Sequence, residues 1–223
     1  MNNKELANII DHTLLKADAT QAEIIKLCAE AKEFNFASVC VNPSMVKLAS
    51  EELKGCDVDV CTVIGFPLGA TTSEVKAFEV KNTIENGATE VDMVINIGKL
   101  KDRDLEYVKN DIKAVVDAAK DKALVKVIIE TCFLTEEEKI AMCKCVTDAK
   151  ADYIKTSTGF GTAGATIEDI KLFKQHIGEN VKIKAAGGVK TVEDLEMFIN
   201  EGCERIGTSS AINLIKGKEA QGY

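Results

Sequence analysis

Short apolar segments typical of β-strands alternate with longer segments of helical periodicity along the whole chain. Eight segments have the length and residue types of strands: 9–14, 38–41, 58–64, 90–96, 124–130, 153–156, 182–185 and 205–208. This alternation predicts an α/β fold, a single (β/α)8 (TIM) barrel, with an open doubly wound sheet as the alternative. A doubly wound nucleotide-binding fold needs a glycine-rich turn after an early strand, but Asn42-Pro43-Ser44 follows the second strand, which favours the barrel.

Helix signals agree with this alternation. Residues 20–34 and 104–119 place apolar side chains on one helical face. Four threonines precede helical segments and have an acidic residue three positions later, which is the capping-box pattern or its aspartate variant: Thr71/Glu74, Thr135/Glu138, Thr166/Asp169 and Thr191/Asp194. No stretch has the composition of a linker, so we predict one catalytic domain over residues 1–223, with a short mobile tail from about residue 217.

Charge and composition restrict the partners. The chain has 28 Lys and Arg residues against 36 Asp and Glu residues, a net charge of -8, which disfavours binding to nucleic acid or to an anionic membrane. The N-terminus lacks the features of a signal peptide and no apolar run approaches the roughly 18 residues of a membrane span, so a cytoplasmic location is expected.

The cysteines and histidines bear on redox state and metal binding. We expect the eight cysteines to be reduced and mostly buried, because they lie mainly within apolar patterns. There is no CxxC motif, and the only two histidines, His12 and His176, are far apart in sequence. No metal site is therefore predicted.

Three charged residues interrupt apolar strands. Asp92, Lys155 and Lys184 lie in the fourth, sixth and seventh strands, and the carboxyl ends of barrel strands carry the chemistry of this fold. Neighbouring strands lie about 4.8 Å apart, so the two lysine ammonium groups would repel each other, which favours a neutral amine at one of them. A neutral amine can attack a carbonyl, and the resulting protonated imine accepts electrons from a breaking carbon–carbon bond.

Asp92 would then act as a proton shuttle for that reaction. The alternative is a buried Lys/Asp/Lys network that only stabilises the core.

Glycines and serines follow the last two strands. Gly187-Gly188 comes directly after the seventh strand, and Gly207-Thr208-Ser209-Ser210 ends the eighth. Loops at these two positions, leading into a helix N-terminus, form the recurrent phosphate site of the barrel. Either motif alone is more typical of a turn, but both beside a lysine pair indicate a phosphorylated carbonyl substrate.

The motifs together resemble the deoxyribose-phosphate aldolase family. They run in order from Asp11 to Ala211 as DHT, VCVNP, VIGFPLG, EVDMVINIG, KVIIET, YIKTSTGFG, KAAGGV and RIGTSSA. Members of the family are metal-independent, Schiff-base-forming (β/α)8 barrels that reversibly cleave 2-deoxy-D-ribose 5-phosphate to D-glyceraldehyde 3-phosphate and acetaldehyde. The resemblance implies no cofactor, small-molecule partners only, and a homodimer.

The resemblance also assigns roles to individual residues. It implies that Lys155 forms the Schiff base, that Lys184 promotes its deprotonation and donates a proton, and that Asp92 relays protons. Tyr223 is similar to the family's C-terminal tyrosine, which assists proton transfer. The residues implied in substrate binding are Asp11, Thr13, Cys40 and Thr156, and those implied in phosphate binding are Gly159, Gly187, Gly188, Gly207, Ser209 and Ser210.

One position departs from part of the family. Some members have a lysine directly after the STG of this motif, where this chain has Phe160, so the glycine N–H groups and seryl hydroxyls would contribute more and Lys190 would supply positive charge. Two other readings remain open: a phosphosugar isomerase or epimerase, and a non-catalytic phosphosugar sensor.

Overall fold

Eight parallel strands follow one another in chain order around a closed barrel. The computed structural model describes residues 3–217. The strands are β1 (Ile10–Leu14), β2 (Ser38–Val41), β3 (Asp59–Ile64), β4 (Glu90–Val94), β5 (Leu124–Ile128), β6 (Tyr153–Lys155), β7 (Lys182–Ala186) and β8 (Arg205–Thr208). Strand β8 pairs in parallel with β1, where Ile206 is opposite Ile10, and this pairing closes the barrel. The predicted (β/α)8 fold is confirmed, with strand ends shifted by at most two residues.

Helices connect the strands. They are α1 (Asn3–Ala7), α2 (Gln21–Phe34), α3 (Val46–Glu52), α4 (Ser73–Glu85), α5 (Ile97–Lys101), α6 (Leu105–Ala119), α7 (Glu136–Asp148), α8 (Ile167–His176), α9 (Val192–Glu201) and α10 (Ala211–Ile215). Two short 3-10 helices cover Pro43–Met45 and Thr131–Phe133. Among the helices of residues 3–217, none combines the length and apolar character that a bilayer crossing requires.

Most of the predicted helix caps are confirmed. The Thr135/Glu138 and Thr191/Asp194 pairs form reciprocal capping boxes, and the Thr166 hydroxyl accepts from the Asp169 N–H. The Thr71/Glu74 prediction was wrong. Thr72 adopts the extended conformation that precedes a helix (φ −77°, ψ 158°), so α4 begins one residue later than the pattern indicated.

Two apolar regions stabilise the fold. The larger one contains buried side chains from both strands and helices and fills the layer between barrel and helices. The smaller one consists of Leu15, Cys40, Cys61 and Val63, with Phe66 packed against it. All eight cysteines are free thiols and six are buried, as predicted.

Candidate active site

The three charged residues predicted from the strands meet inside the barrel. Lys155 and Lys184 are directly opposite each other in the register of β6 and β7. Their Nζ atoms lie 2.6 Å and 2.7 Å from the same oxygen, Oδ2 of Asp92. All three side chains are buried, and Lys155 retains 4% of its exposure. One carboxylate oxygen therefore holds both amines.

The cluster extends towards the amino ends of the strands through residues that sequence reasoning missed. Lys126 donates to Glu90 Oε2 at 2.6 Å and to Asp92 Oδ1 at 3.0 Å. Arg205 donates to Glu90 Oε1 at 2.7 Å and to Asp11 Oδ1 at 2.6 Å, and Asp11 also accepts from Lys184. Glu90 precedes Asp92 by two residues and so points to the same side of β4. This spacing of two residues was the sequence signal that could have identified Glu90 as a neighbour of Asp92.

Mutual attraction keeps Lys184, Asp92 and Lys126 charged. Burial opposes the charge of Lys184, but the carboxylates of Asp11 and Asp92 outweigh burial and hold its pKa above the ordinary value. Burial likewise opposes the charge of Asp92, yet Lys126, Lys155 and Lys184 hold the pKa of that carboxyl well below its usual range. Attraction again outweighs burial at Lys126, whose pKa lies well above its usual value.

The formal charges of the cluster leave one cation in excess. Three carboxylates, those of Asp11, Glu90 and Asp92, face three cations, those of Lys126, Lys184 and Arg205. Lys155 is the fourth cation if it is protonated, and its ammonium has an ion pair only with Asp92 among the described residues. The cluster is therefore neutral when Lys155 carries no proton.

A cavity opens onto Lys155 at the carboxyl ends of the strands. Its lining comes from strands β1, β6, β7 and β8 and from the loops that follow them: Thr13, Leu15, Lys155, Thr158, Gly159, Ala186, Gly187, Gly207, Thr208 and Ser209. Five residues predicted to bind substrate or phosphate are thereby brought to the same cavity as Lys155: Thr13, Gly159, Gly187, Gly207 and Ser209.

A second cavity lies beside the first and is rich in glycine. It is lined by Gly159, Gly161, Ala163, Gly164, Gly187, Gly188, Val189 and Lys190, so Gly159 and Gly187 belong to both cavities. A Cβ at Gly164 would lie 2.4 Å from the carbonyl carbon of Gly187. Only glycine allows the loops after β6 and β7 to approach this closely.

The other predicted site residues do not line the first cavity. The Thr156 hydroxyl bonds to the backbone of Ala186 (3.2 Å to the oxygen and 3.1 Å to the nitrogen), so it joins β6 to β7. Asp11 lies deeper in the ion cluster, and the buried Ser210 donates its N–H to Thr208 Oγ1. Gly188 lines only the second cavity, and Tyr223 lies outside the described residues. Their roles in binding or catalysis stay predictions.

An apolar wall faces the ion cluster. The Cys61 thiol donates to Asp92 Oδ1 at 3.2 Å, and a hydrogen bond with Cys61 lowers the pKa of Cys40. Phe66 packs against the small apolar cluster that contains these two cysteines and meets Phe160 edge-to-face, with ring centroids 5.3 Å apart. Cys40 thus lies in the wall of the site, and Phe160 extends this wall to the loop after β6.

Two sets of side chains have metal-ligand spacing. Cys40, Cys61 and Asp92 form one set, and Asp11, Cys61 and Glu90 form the other. Both oxygens of Asp92 already accept from lysine ammonium groups, and Arg205 holds Asp11 and Glu90. These cations would repel a metal ion, so the arrangement suits organic charge pairs better than metal coordination.

The closed barrel and its lysine centre define the class of (β/α)8 enzymes whose chemistry lies at the carboxyl ends of the strands. A model of the DeoC/LacD family aldolases matches residues 6–216. The chain belongs to this family and is an aldolase.

Individual relatives match over nearly the whole length. The deoxyribose-phosphate aldolase of Geobacillus sp. (strain WCH70) is 62% identical over 215 residues, which cover 96% of this chain and 96% of that protein. A solved structure from Coccidioides immitis aligns with a TM-score of 0.93 at 42% identity and covers 97% of this chain and 86% of that chain. The tetrameric deoxyribose phosphate aldolase from Aeropyrum pernix aligns with a TM-score of 0.89 at 31% identity, over 96% of this chain and 91% of that one.

Proposed function

We propose that the chain is a deoxyribose-phosphate aldolase that reversibly cleaves 2-deoxy-D-ribose 5-phosphate to D-glyceraldehyde 3-phosphate and acetaldehyde without a metal or cofactor. The observation that carries this proposal is the surplus cation, Lys155, which faces a cavity next to a glycine-rich loop pair. Relatives at about 60% identity named deoxyribose-phosphate aldolase support the choice of substrate.

The first chemical step forms the imine. The neutral Nζ of Lys155 attacks C1 of the open-chain sugar and gives a carbinolamine, whose hydroxyl leaves as water. Asp92 lies 2.6 Å from that nitrogen and is the group placed to accept and return the protons of this dehydration. Lys184 remains a cation beside the same Asp92 oxygen, and its charge disfavours a positive charge on the Lys155 nitrogen until the imine forms.

The second step breaks the carbon–carbon bond. The proton of the C3 hydroxyl passes to Asp92, directly or through water, and the electrons of the C2–C3 bond move into the protonated imine. D-glyceraldehyde 3-phosphate leaves, and the remaining enamine is protonated at C2 and hydrolysed to acetaldehyde. For that protonation we propose Lys184 and, from outside the described residues, Tyr223.

The phosphate would be bound by the loops after β6, β7 and β8. Gly159, Gly187 and Gly207 line the Lys155 cavity, where the absence of a side chain would let a phosphate approach the backbone. Ser209 adds a hydroxyl. Because Phe160 occupies the position after the STG motif where some members have a lysine, Lys190 of the adjacent cavity would supply the positive charge.

A retro-aldol assay with deoxyribose 5-phosphate in the presence of a chelator tests this function. We expect acetaldehyde release at an undiminished rate, and we expect borohydride to trap a covalent adduct on Lys155 when the substrate is present. A phosphosugar isomerase or epimerase would turn over without an adduct, and a phosphosugar sensor would bind without turnover. Either outcome would remove the proposed function.

The assembly and location are part of the same proposal. We infer a homodimer, because Leu68, Val75 and Phe78 are exposed apolar side chains that line one groove. Light scattering should give twice the chain mass, and a Phe78→Lys variant should shift towards the monomer; a wild-type monomer would contradict the proposal. A cytoplasmic location is supported by the eight free thiols.

A further inference from the structure

A buried glutamate lies behind the loop that follows β6. Glu130 is 2% exposed, and among residues 3–217 its carboxylate has no lysine, arginine or histidine within ion-pair distance. A buried carboxylate without a cation is costly unless several donors satisfy it. Its partners therefore indicate what holds it in place.

Among residues 3–217, the hydrogen bonds to the Glu130 carboxylate come from one residue of that loop. The Thr158 N–H lies 3.2 Å from Oε1 and 3.4 Å from Oε2, and the Thr158 hydroxyl donates to Oε2. The same hydroxyl accepts from the Phe160 N–H at 2.9 Å. A continuous chain of hydrogen bonds thus runs from Glu130 through Thr158 to Phe160, on either side of Gly159.

Packing fixes the far end of the same loop. A Cβ at Gly161 would lie 3.1 Å from Cδ of Glu130 and 2.8 Å from Sγ of Cys132, so the loop backbone rests directly on these two side chains. Gly159 itself has a φ of 87° and lines both cavities. The direction of its N–H is therefore set by residues that Glu130 holds on both sides.

The backbone of Glu130 is unusual as well. Its φ and ψ of 55° and 67° are left-handed, a conformation that is unfavourable for a residue with a side chain. The residues on either side donate to consecutive carbonyls at the end of β6: Ile129 to Lys155 and Thr131 to Thr156, which directly follows the strand, both at 3.0 Å. Glu130 is thus the extra residue of a bulge that turns its carboxylate towards the loop.

We propose that Glu130 is a positioning residue for the phosphate end of the substrate: it aligns the Gly159 N–H and its neighbours, and it touches neither the substrate nor Lys155. The inference rests on the proposed function and adds the residue that prepares the phosphate site. Geometry and charge make opposite predictions here. A carboxylate near a phosphate repels it, so removal of the charge alone would tighten phosphate binding, whereas loss of the alignment would weaken it.

The test compares phosphorylated and unphosphorylated substrate in the Glu130→Gln variant. The amide keeps the size of the side chain but replaces one of the two acceptor oxygens by an NH2 donor, which would face a Thr158 donor and break the paired arrangement. We expect KM for deoxyribose 5-phosphate to rise about tenfold or more, whereas kcat/KM for 2-deoxyribose changes less than about threefold. Inorganic phosphate, used as an inhibitor of 2-deoxyribose cleavage, should lose affinity in parallel. Glu137→Gln is the matched control, since it removes one exposed carboxylate from α7.

Each other outcome has a definite meaning. A lower KM for the phosphorylated substrate, unchanged constants, or an equal loss for both substrates would overturn the inference. If Glu130→Gln does not fold, Glu130→Asp keeps the charge but shortens the reach to Thr158 and should give the same phosphate-specific loss; equal losses for both substrates there would overturn the inference too. If the wild-type protein does not cleave deoxyribose 5-phosphate, the proposed function fails first, and calorimetric titration of inorganic phosphate into wild type and Glu130→Gln would still report on Glu130.

Discussion

Two buried lysines in this molecule have opposite surroundings. Lys76, on α4, lies outside the barrel and is fully buried; its Nζ donates to Asp111 of α6 at 2.5 Å and to the carbonyl of Val94 at 2.8 Å. Ser73 completes the site by donating to Asp111 at 2.8 Å. Lys155, inside the barrel, shares Asp92 with two other lysines and faces a cavity.

The difference is one of charge balance and access. Lys76 and Asp111 form a one-to-one pair that no described cavity reaches, so a proton lost there would leave a buried anion unpaired. Lys155 belongs to a cluster that is neutral only without its proton. Burial of a lysine is therefore a poor indicator of chemistry by itself, whereas surplus charge beside a cavity is a better one.

The largest expected effect is at Lys155. We expect Lys155→Met to lower kcat by at least about four orders of magnitude, because no imine can form. The free energy of unfolding should change by less than about 2 kcal/mol, because the substitution removes the surplus cation and leaves three carboxylates with three cations. Turnover and urea denaturation measure the two quantities, and Lys155→Met with wild-type rates would end the aldolase mechanism.

The next largest effect is expected at Asp92, because its carboxylate accepts from the amines of both Lys155 and Lys184. We expect Asp92→Asn to lower kcat by about 10²- to 10⁴-fold with little change in phosphate affinity, since the proton relay is lost while the glycine loops remain. Steady-state kinetics with inorganic phosphate as a competitor measure kcat and the phosphate affinity separately. A loss that appears only in KM would indicate that Asp92 binds substrate and relays no proton.

At Lys76 we expect a large loss of stability and little loss of activity. Lys76→Met should destabilise the fold by about 3–5 kcal/mol, because it leaves Asp111 buried without its cation, and kcat should stay within a few-fold of the wild-type value. The double variant Lys76→Met/Asp111→Leu is the control, and most of the stability should return. If Lys76→Met abolished turnover in folded protein, the contrast between the two lysines would be wrong.

The sequence predicted some of the charged residues of the buried cluster but not all of them. Asp92, Lys155 and Lys184 could be found because each is a charged residue in an apolar strand, where one face is expected to be buried. The same rule applied to every strand would have identified Glu90 and Lys126. Their importance was missed because the prediction considered only the carboxyl ends of the strands, whereas the ion cluster continues through the barrel.

Other features were beyond sequence reasoning for physical reasons. Lys76 lies in a helix of weakly amphipathic sequence, and its burial depends on the packing of α4 against α6, which no local pattern encodes. Glu130 was predicted to extend β5, but its left-handed backbone ends the strand at Ile128. Such conformations arise from tertiary contacts, here those of the loop after β6.

The smallest expected effect concerns pH and tests the charge balance of the cluster directly. Although burial opposes its charge, the three neighbouring lysines hold the pKa of Asp92 well below 3.8, so its stabilising contribution is complete above about pH 4 and is lost as pH falls. The difference in unfolding free energy between wild type and Asp92→Asn should therefore shrink by roughly 1.4 kcal/mol per pH unit below that point. Urea denaturation at pH 7, 4 and 3 measures it. A constant difference would mean that Asp92 is not held as an anion by the lysines, and Lys155 would then no longer be the surplus cation.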